Sequence, residues 1–190
     1  MLGLEPGTVS LARDHVVWQM EFGVAAAALR RELGVIAHVE HVGSTAVDGL
    51  LAKPIVDIAI GLVQPTSAPT AFDRLPALGY RYRGFRLDSG GHVWDFSHQG
   101  RHTRYVHLVV FGGDQWNRYL VLRDYLRGSA TARAVYEAHK ENMAVVYQND
   151  RKRYTESKRG LIDQLLADAA QSKNSAMHVS TRRLLGLLSG

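Results

Sequence analysis

Between residues 14 and 33 apolar side chains recur at helical spacing: Val17, Met20, Phe22, Ala25, Leu29 and Leu33, with Gly34 placed as a stop. Val35 to Val42 then reads as a strand. Thr45 to Leu51 has the length of a short helix ending before Pro54, because the residue preceding a proline avoids helical backbone. Ile55 to Leu62 is nearly continuous and β-branched, as expected of a central strand covered on both faces. Gln64 to Pro69 reads as a loop. Thr70 to Leu78 reads as a helix closed by Gly79.

From there the period shortens. Tyr80 to Phe85, Val93 to His98 and Arg104 to Phe111 are strand-like, with turns at Gly90-Gly91 and Gln99-Gly100. Gly112-Gly113-Asp114 looks like a strand end and a helix cap. Helical patterns follow over roughly 115–127, 130–149 and 154–170, then a polar break at 171–175. The pattern predicts an α/β (α+β) core over residues 1–112, a helical part of the same domain over 113–170, and a tail over 171–190. No internal repeat is visible.

Composition narrows the class. The chain has 190 residues, 46% of them hydrophobic, enough for a substantial core. No apolar run approaches the ~20 residues a membrane span needs. No signal-peptide pattern opens the chain, so a cytoplasmic address is expected. The absence of cysteine excludes disulfides and thiolate metal sites. A net charge of +5 points to an anionic partner. The basic span 151–159, RKRYTESKR, suits a solvated helix face; no RNA-binding signature accompanies it, so nucleic acid is not the expected partner.

The chemistry concentrates in His41-Val42-Gly43-Ser44-Thr45-Ala46-Val47 and Lys53-Pro54-Ile55-Val56-Asp57-Ile58. A strand, a Gly-Ser turn, a short helix and a second strand with one acid can hold a phosphorylated nucleotide. Gly43 lets a phosphate approach the backbone, Ser44 and Thr45 can hydrogen-bond it, and the helix start would add a positive dipole end. Asp57 could hold a divalent metal against the same phosphates. An acid on an apolar strand is costly to bury alone, so its removal is expected to leave the fold intact and even to stabilise it.

These residues resemble the GrpB family, a branch of the nucleotidyltransferase superfamily. The family's G-S-T-A-V-P-G-L-x-A-K-P-I-I-D-I is G-S-T-A-V-D-G-L-L-A-K-P-I-V-D-I here, with Asp48 in place of the proline. Further likeness lies in Leu122-Arg123-Asp124-Tyr125-Leu126-Arg127, in Tyr136 with Lys140, and in Tyr154-Thr155-Glu156-Ser157-Lys158. The chain departs from the superfamily at Ala59, where a second acid usually stands, a departure common in GrpB-like sequences. It departs from the family's H-L-H-V strand at Tyr105, which leaves His107 alone.

The resemblance implies a nucleotidyltransferase-like mixed sheet with flanking helices and a C-terminal helical bundle. It implies a Mg²⁺-dependent enzyme that transfers a nucleotidyl group from a nucleoside triphosphate to an unknown small-molecule acceptor. The alternative is a non-catalytic module of the same fold that binds nucleotides or coenzyme A precursors, since similar domains are fused to some dephospho-coenzyme A kinases. The expected site has Asp57 and His107 as catalytic residues, and Asp57, His107 and Asp95 at the metal, with His107 also a possible proton acceptor. Gly43, Ser44, Thr45, Lys53, Arg123, Arg127, Lys140 and Lys158 would bind nucleotide and phosphate. Arg123 and Arg127 should form the main basic wall, and Glu40, His41 and Tyr154 are further candidates.

Overall fold

The computed structural model describes residues 2–86 and 90–172. Helix α1, His15–Leu33, is followed by strand β1, Ala37–Val42, and strand β2, Val56–Leu62. Helix α2, Ala68–Arg74, leads to strands β3, Arg81–Arg86, β4, Gly91–His98, and β5, Arg101–Val110. Helices α3, Asp114–Gly128, α4, Ala130–Val146, and α5, Arg151–Ser157, follow, with a last helix α6 over 159–172. The expected tail lies outside the described residues apart from its first two positions. No helix among the described residues is long and apolar enough to cross a membrane.

The five strands form one sheet in the order β1-β2-β5-β4-β3. Only β2 and β5 run parallel; the other neighbouring pairs are antiparallel. One face carries Val39, Ile58, Ile60, Val106, Leu108 and Trp94 against Trp18, Leu29 and Leu33 of α1 and Ala71 of α2. The other face carries Val42, Ala59 and Val109 beneath Trp116 of α3. A third apolar cluster joins Val47 and Leu50 to Leu126, Tyr136 and Leu165 of the helical half. Burial of these side chains supplies the main driving force, roughly 25 cal/mol per Å² of apolar surface.

Three expected helices differ in the structure. The helix expected over Thr45–Leu51 is a single 3-10 turn, Ser44–Ala46, followed by turns. Gly49 takes φ +75 within it, and the Ala46 carbonyl accepts from Arg127. No extended helix dipole therefore points at the site. The helix expected over 154–170 begins at Arg151, where the Asp150 side chain accepts from the Arg153 N–H, and it breaks at Lys158. The helix expected over Thr70–Leu78 is α2 plus a 3-10 turn, closed by Gly79 at φ +82 as foreseen.

Candidate functional site

Asp57 is the second residue of β2, paired with Val42 on one side and Tyr105 on the other. Two residues on, Ala59 pairs with His107. Paired residues on neighbouring strands share a face, so Asp57 and His107 project together from the α3 side of the sheet. His107 Nε2 lies 3.3 Å from Asp57 Oδ1. Tyr119 of α3 packs against the His107 ring at 5.2 Å. Trp116 and Tyr119, three apart on α3, lie on neighbouring positions of one helix face.

The Gly43 turn leans directly on the acid. Gly43 has φ +70, and a Cβ built on it would stand 2.7 Å from Asp57 Oδ2. Only glycine meets both demands. The Ser44 hydroxyl has no hydrogen-bond partner among the described residues, and the Asp57 side chain is 35% exposed. Thr45 differs: it is buried and turned to the other side of the sheet, where its hydroxyl meets His41 Nε2 at 3.0 Å. His41 stacks on Phe22, and burial, outweighing the nearby Asp57, pushes its pKa to about 4. Both are core residues that brace the turn.

Electrostatics separate the remaining cations. Burial alone would raise the Asp57 pKa. The hydrogen bond and charge of His107, with the charges of Lys53 and Lys158, outweigh it and hold the carboxyl below its ordinary value. An ionised carboxylate only accepts, so His107 Nε2 carries the proton toward it. Nδ1 is buried without a partner. In this arrangement His107 donates to Asp57 and fixes its carboxylate. Lys53 and Lys158 flank the buried Tyr154 ring at 5.2 and 4.9 Å. Burial and then Lys158 push Lys53 down to about 7, against the opposing pull of Asp57.

The other expected cations are engaged elsewhere. Arg123 donates to Glu40 Oε2 at 2.7 Å, to the His41 carbonyl and to Asp124. Arg127 donates through two nitrogens to the Ala46 carbonyl. Lys140 is fully buried, donates to the Leu51 carbonyl and lies over Tyr136. These three residues fasten β1, the turn and the Lys53 segment to the helical half. The lysine charges that act on Asp57 are those of Lys53 and Lys158, while Arg123 and Arg127 are bonded to Glu40, His41, Asp124 and Ala46.

Asp95 shares the sheet face with Asp57, but β5 stands between them. It is fully buried and bonded to His102 Nδ1 at 2.7 Å, with Arg81 at 3.4 Å. Ala59 is fully buried under Trp116. The place of a second strand acid is thus a packing position against an indole, where a carboxylate would be desolvated. Among the described residues no three His, Cys, Asp or Glu side chains are set to hold a metal ion. The groove of about 330 Å³ lined by Gln19, Val47, Asp48, Arg127 and Arg133 includes neither Asp57 nor His107.

A mixed five-stranded sheet with a Gly-Ser turn resting on a strand acid, flanked by helices, is a nucleotidyltransferase-like fold. The structure is similar to that of a Cid1 poly(U) polymerase with Mg 3'-dATP bound, at TM-score 0.50 and 13% identity, over 72% of this chain and 43% of that one. At that identity the likeness is one of fold. A sequence model described as GrpB protein matches residues 8–168. The glutamate-rich protein GrpB of Alkalihalophilus pseudofirmus is 32% identical over 87% of this chain and 98% of its own length. The crystal structure of the conserved protein GrpB from Enterococcus faecalis superposes at TM-score 0.76 with 26% identity, covering 86% of this chain and 99% of that one. The chain belongs to the GrpB family.

Proposed function

We propose that the protein binds a nucleoside triphosphate at the Gly43-Ser44 turn and transfers its nucleotidyl group to a small acceptor. The observation that carries this reading is the joint placement of the turn, the Asp57–His107 pair and two lysines. The Ser44 hydroxyl and the first N–H groups of the turn receive phosphate oxygens. Lys53 and Lys158 balance their charge. Asp57 would hold a Mg²⁺ that arrives with the triphosphate, and that ion would neutralise charge on the phosphates. Such an ion is held mainly by phosphates and water, with one or two carboxylates, so a single acid suffices. His107 holds that carboxylate ionised and oriented.

In the transfer an acceptor oxygen or nitrogen bonds to the α-phosphorus as the bond to pyrophosphate breaks; the acceptor's proton leaves to solvent. A cytoplasmic address, where nucleoside triphosphates are present, fits the reading. Calorimetric titration with each nucleoside triphosphate, with and without Mg²⁺, tests the binding. Mg²⁺-dependent heat lost in Asp57→Asn is expected; equal titrations for both proteins overturn it. Pyrophosphate release from a radiolabelled triphosphate, measured over a panel of small hydroxyl, amine and carboxylate acceptors, tests the transfer. Binding without release for any acceptor overturns the enzymatic half.

A further inference from the structure

The row of paired residues that begins at Asp57 continues across the sheet to a second charged cluster. Asp57 pairs with Tyr105, Tyr105 with Asp95, and Asp95 with Arg81, so all four side chains share one face. Strands lie about 4.8 Å apart, which places Arg81 roughly 14 Å from Asp57 across three strand steps.

Edge strand β3 is shaped to add a second arginine there. Its register shifts between Tyr82 and Gly84, leaving Arg83 as the extra residue of a bulge, with Gly84 at φ +104. Bulges re-aim side chains, and Arg83 Nε stands 4.0 Å from Asp95 Oδ1. That is too far for a hydrogen bond, and Asp95 Oδ1 is buried without one. A second register shift, at Phe96/Ser97 of β4, accompanies the contact of Ser97 Oγ with Arg81 at 3.0 Å.

The charges do not cancel. Burial keeps the His102 pKa below its ordinary value despite the adjoining Asp95. Two guanidinium groups therefore face one carboxylate. That carboxylate is fully covered, whereas the Arg81 and Arg83 side chains are 63% and 51% exposed. An approaching anion meets guanidinium edges, with the acid beneath them holding their orientation. An ion pair that only stabilised the fold would need one arginine, not a bulge that brings in a second.

We propose that Arg81 and Arg83 form the subsite for an oxyanion group, phosphate or carboxylate, on the acceptor substrate. The proposal deepens the transfer reading above and rests on it for the word acceptor. The binding of an oxyanion at this edge stands by itself. Planar guanidinium forks match such groups with paired, charge-assisted hydrogen bonds.

The test is amide chemical-shift mapping on the intact ¹⁵N-labelled chain, titrated separately with inorganic phosphate and with acetate. Phosphate, acetate or both should shift amides of residues 81–84 and 94–97, as a set distinct from those of residues 43–46. Arg83→Gln keeps the Arg81–Asp95–His102 contacts and so the fold. It should weaken the edge response about tenfold or more, leaving the turn response unchanged. No shift of the edge amides in the wild type, or the same response in Arg83→Gln, overturns the subsite. Edge shifts with no MgATP response at the turn would keep the subsite and sink the nucleotide reading instead.

Discussion

A side chain on Gly43 would start 2.7 Å from the Asp57 Oδ2 atom. The turn and the acid are thus a single unit: the backbone at Gly43 fixes where one carboxylate oxygen stands, and His107 fixes the other.

Gly43→Ala should therefore displace the carboxylate and also impose the strain of a positive φ, of order 1–3 kcal/mol. Gly49→Ala separates the two effects, because Gly49 has φ +75 with open space around it. Gly49→Ala should lose the strain alone and Gly43→Ala more than that in urea titrations, while only Gly43→Ala loses triphosphate affinity. Equal affinity in the two variants would dissociate the turn from the site.

His107→Phe keeps an aromatic partner for Tyr119 and removes the donor to Asp57. The Asp57 pKa, read by ¹³C NMR of its carboxyl carbon, should rise, since burial then acts with less opposition. An unmoved titration would remove His107 from the site.

The lowered Asp57 pKa points the other way from the expectation that removing this acid stabilises the protein. A carboxyl with a depressed folded pKa contributes stability above its unfolded pKa and loses it as pH falls through the folded value. Asp57→Asn should cost stability at pH 7 and show a shallower acid loss below about pH 4. A more stable variant at pH 7 would contradict the balance of charges described.

Lys53 and Lys140 act in the opposite sense. Burial, then Lys158, pushes each to about 7. Between pH 7 and the ordinary lysine range near 10.5 the unfolded chain binds more protons, so stability rises with pH across that window. Lys140→Met should flatten the rise. Triphosphate affinity should move the other way, strengthening as pH falls through 7 and Lys53 gains its charge. Calorimetry in buffers of different ionisation heat should register proton uptake on binding at pH 7.5; proton release would refute the role of Lys53.

Arg123→Gln and Arg127→Gln should each destabilise the fold by roughly 1.5–3 kcal/mol, the usual weight of a hydrogen bond to a charged group. Their triphosphate and monophosphate affinities should fall together. Lys158→Gln should instead weaken the triphosphate more than the monophosphate. Selective loss in the arginine variants would return them to the phosphate wall.

The sequence made β2 legible because one acid interrupts a β-branched run, and His107 legible because its parity on β5 is set by period two. The shared face of Arg123 and Arg127 was equally plain. Their destination was not, because it depends on where α3 lands. Trp116 sets that position by resting on Gly61, where a Cβ would be 2.6 Å from the indole. The far-face position of Thr45 was hidden for a related reason. Hydroxyls beside a Gly-Ser turn look alike in sequence, and only the buried His41 on the far face claims this one. The missing helix after Ser44 turned on Gly49 and on the capture of the Ala46 carbonyl by Arg127, a partner 81 residues away.

Tyr154 holds Lys53 and Lys158 on its ring, joining positions a hundred residues apart. During synthesis β1 and β2 can pair as soon as residue 62 leaves the ribosome, and β4 and β5 can pair as a local hairpin. Lys53 and Lys158 come together only after residue 158 has emerged. Arg151, bonded to the Thr8 carbonyl, also ties the earliest part of the chain to one of the latest. A nascent chain halted before α5 would thus carry the acid, the turn and Lys53, but neither Lys158 nor the Tyr154 ring that the two lysines share. On the proposed reading such a fragment would hold a triphosphate more weakly than the chain that includes α5.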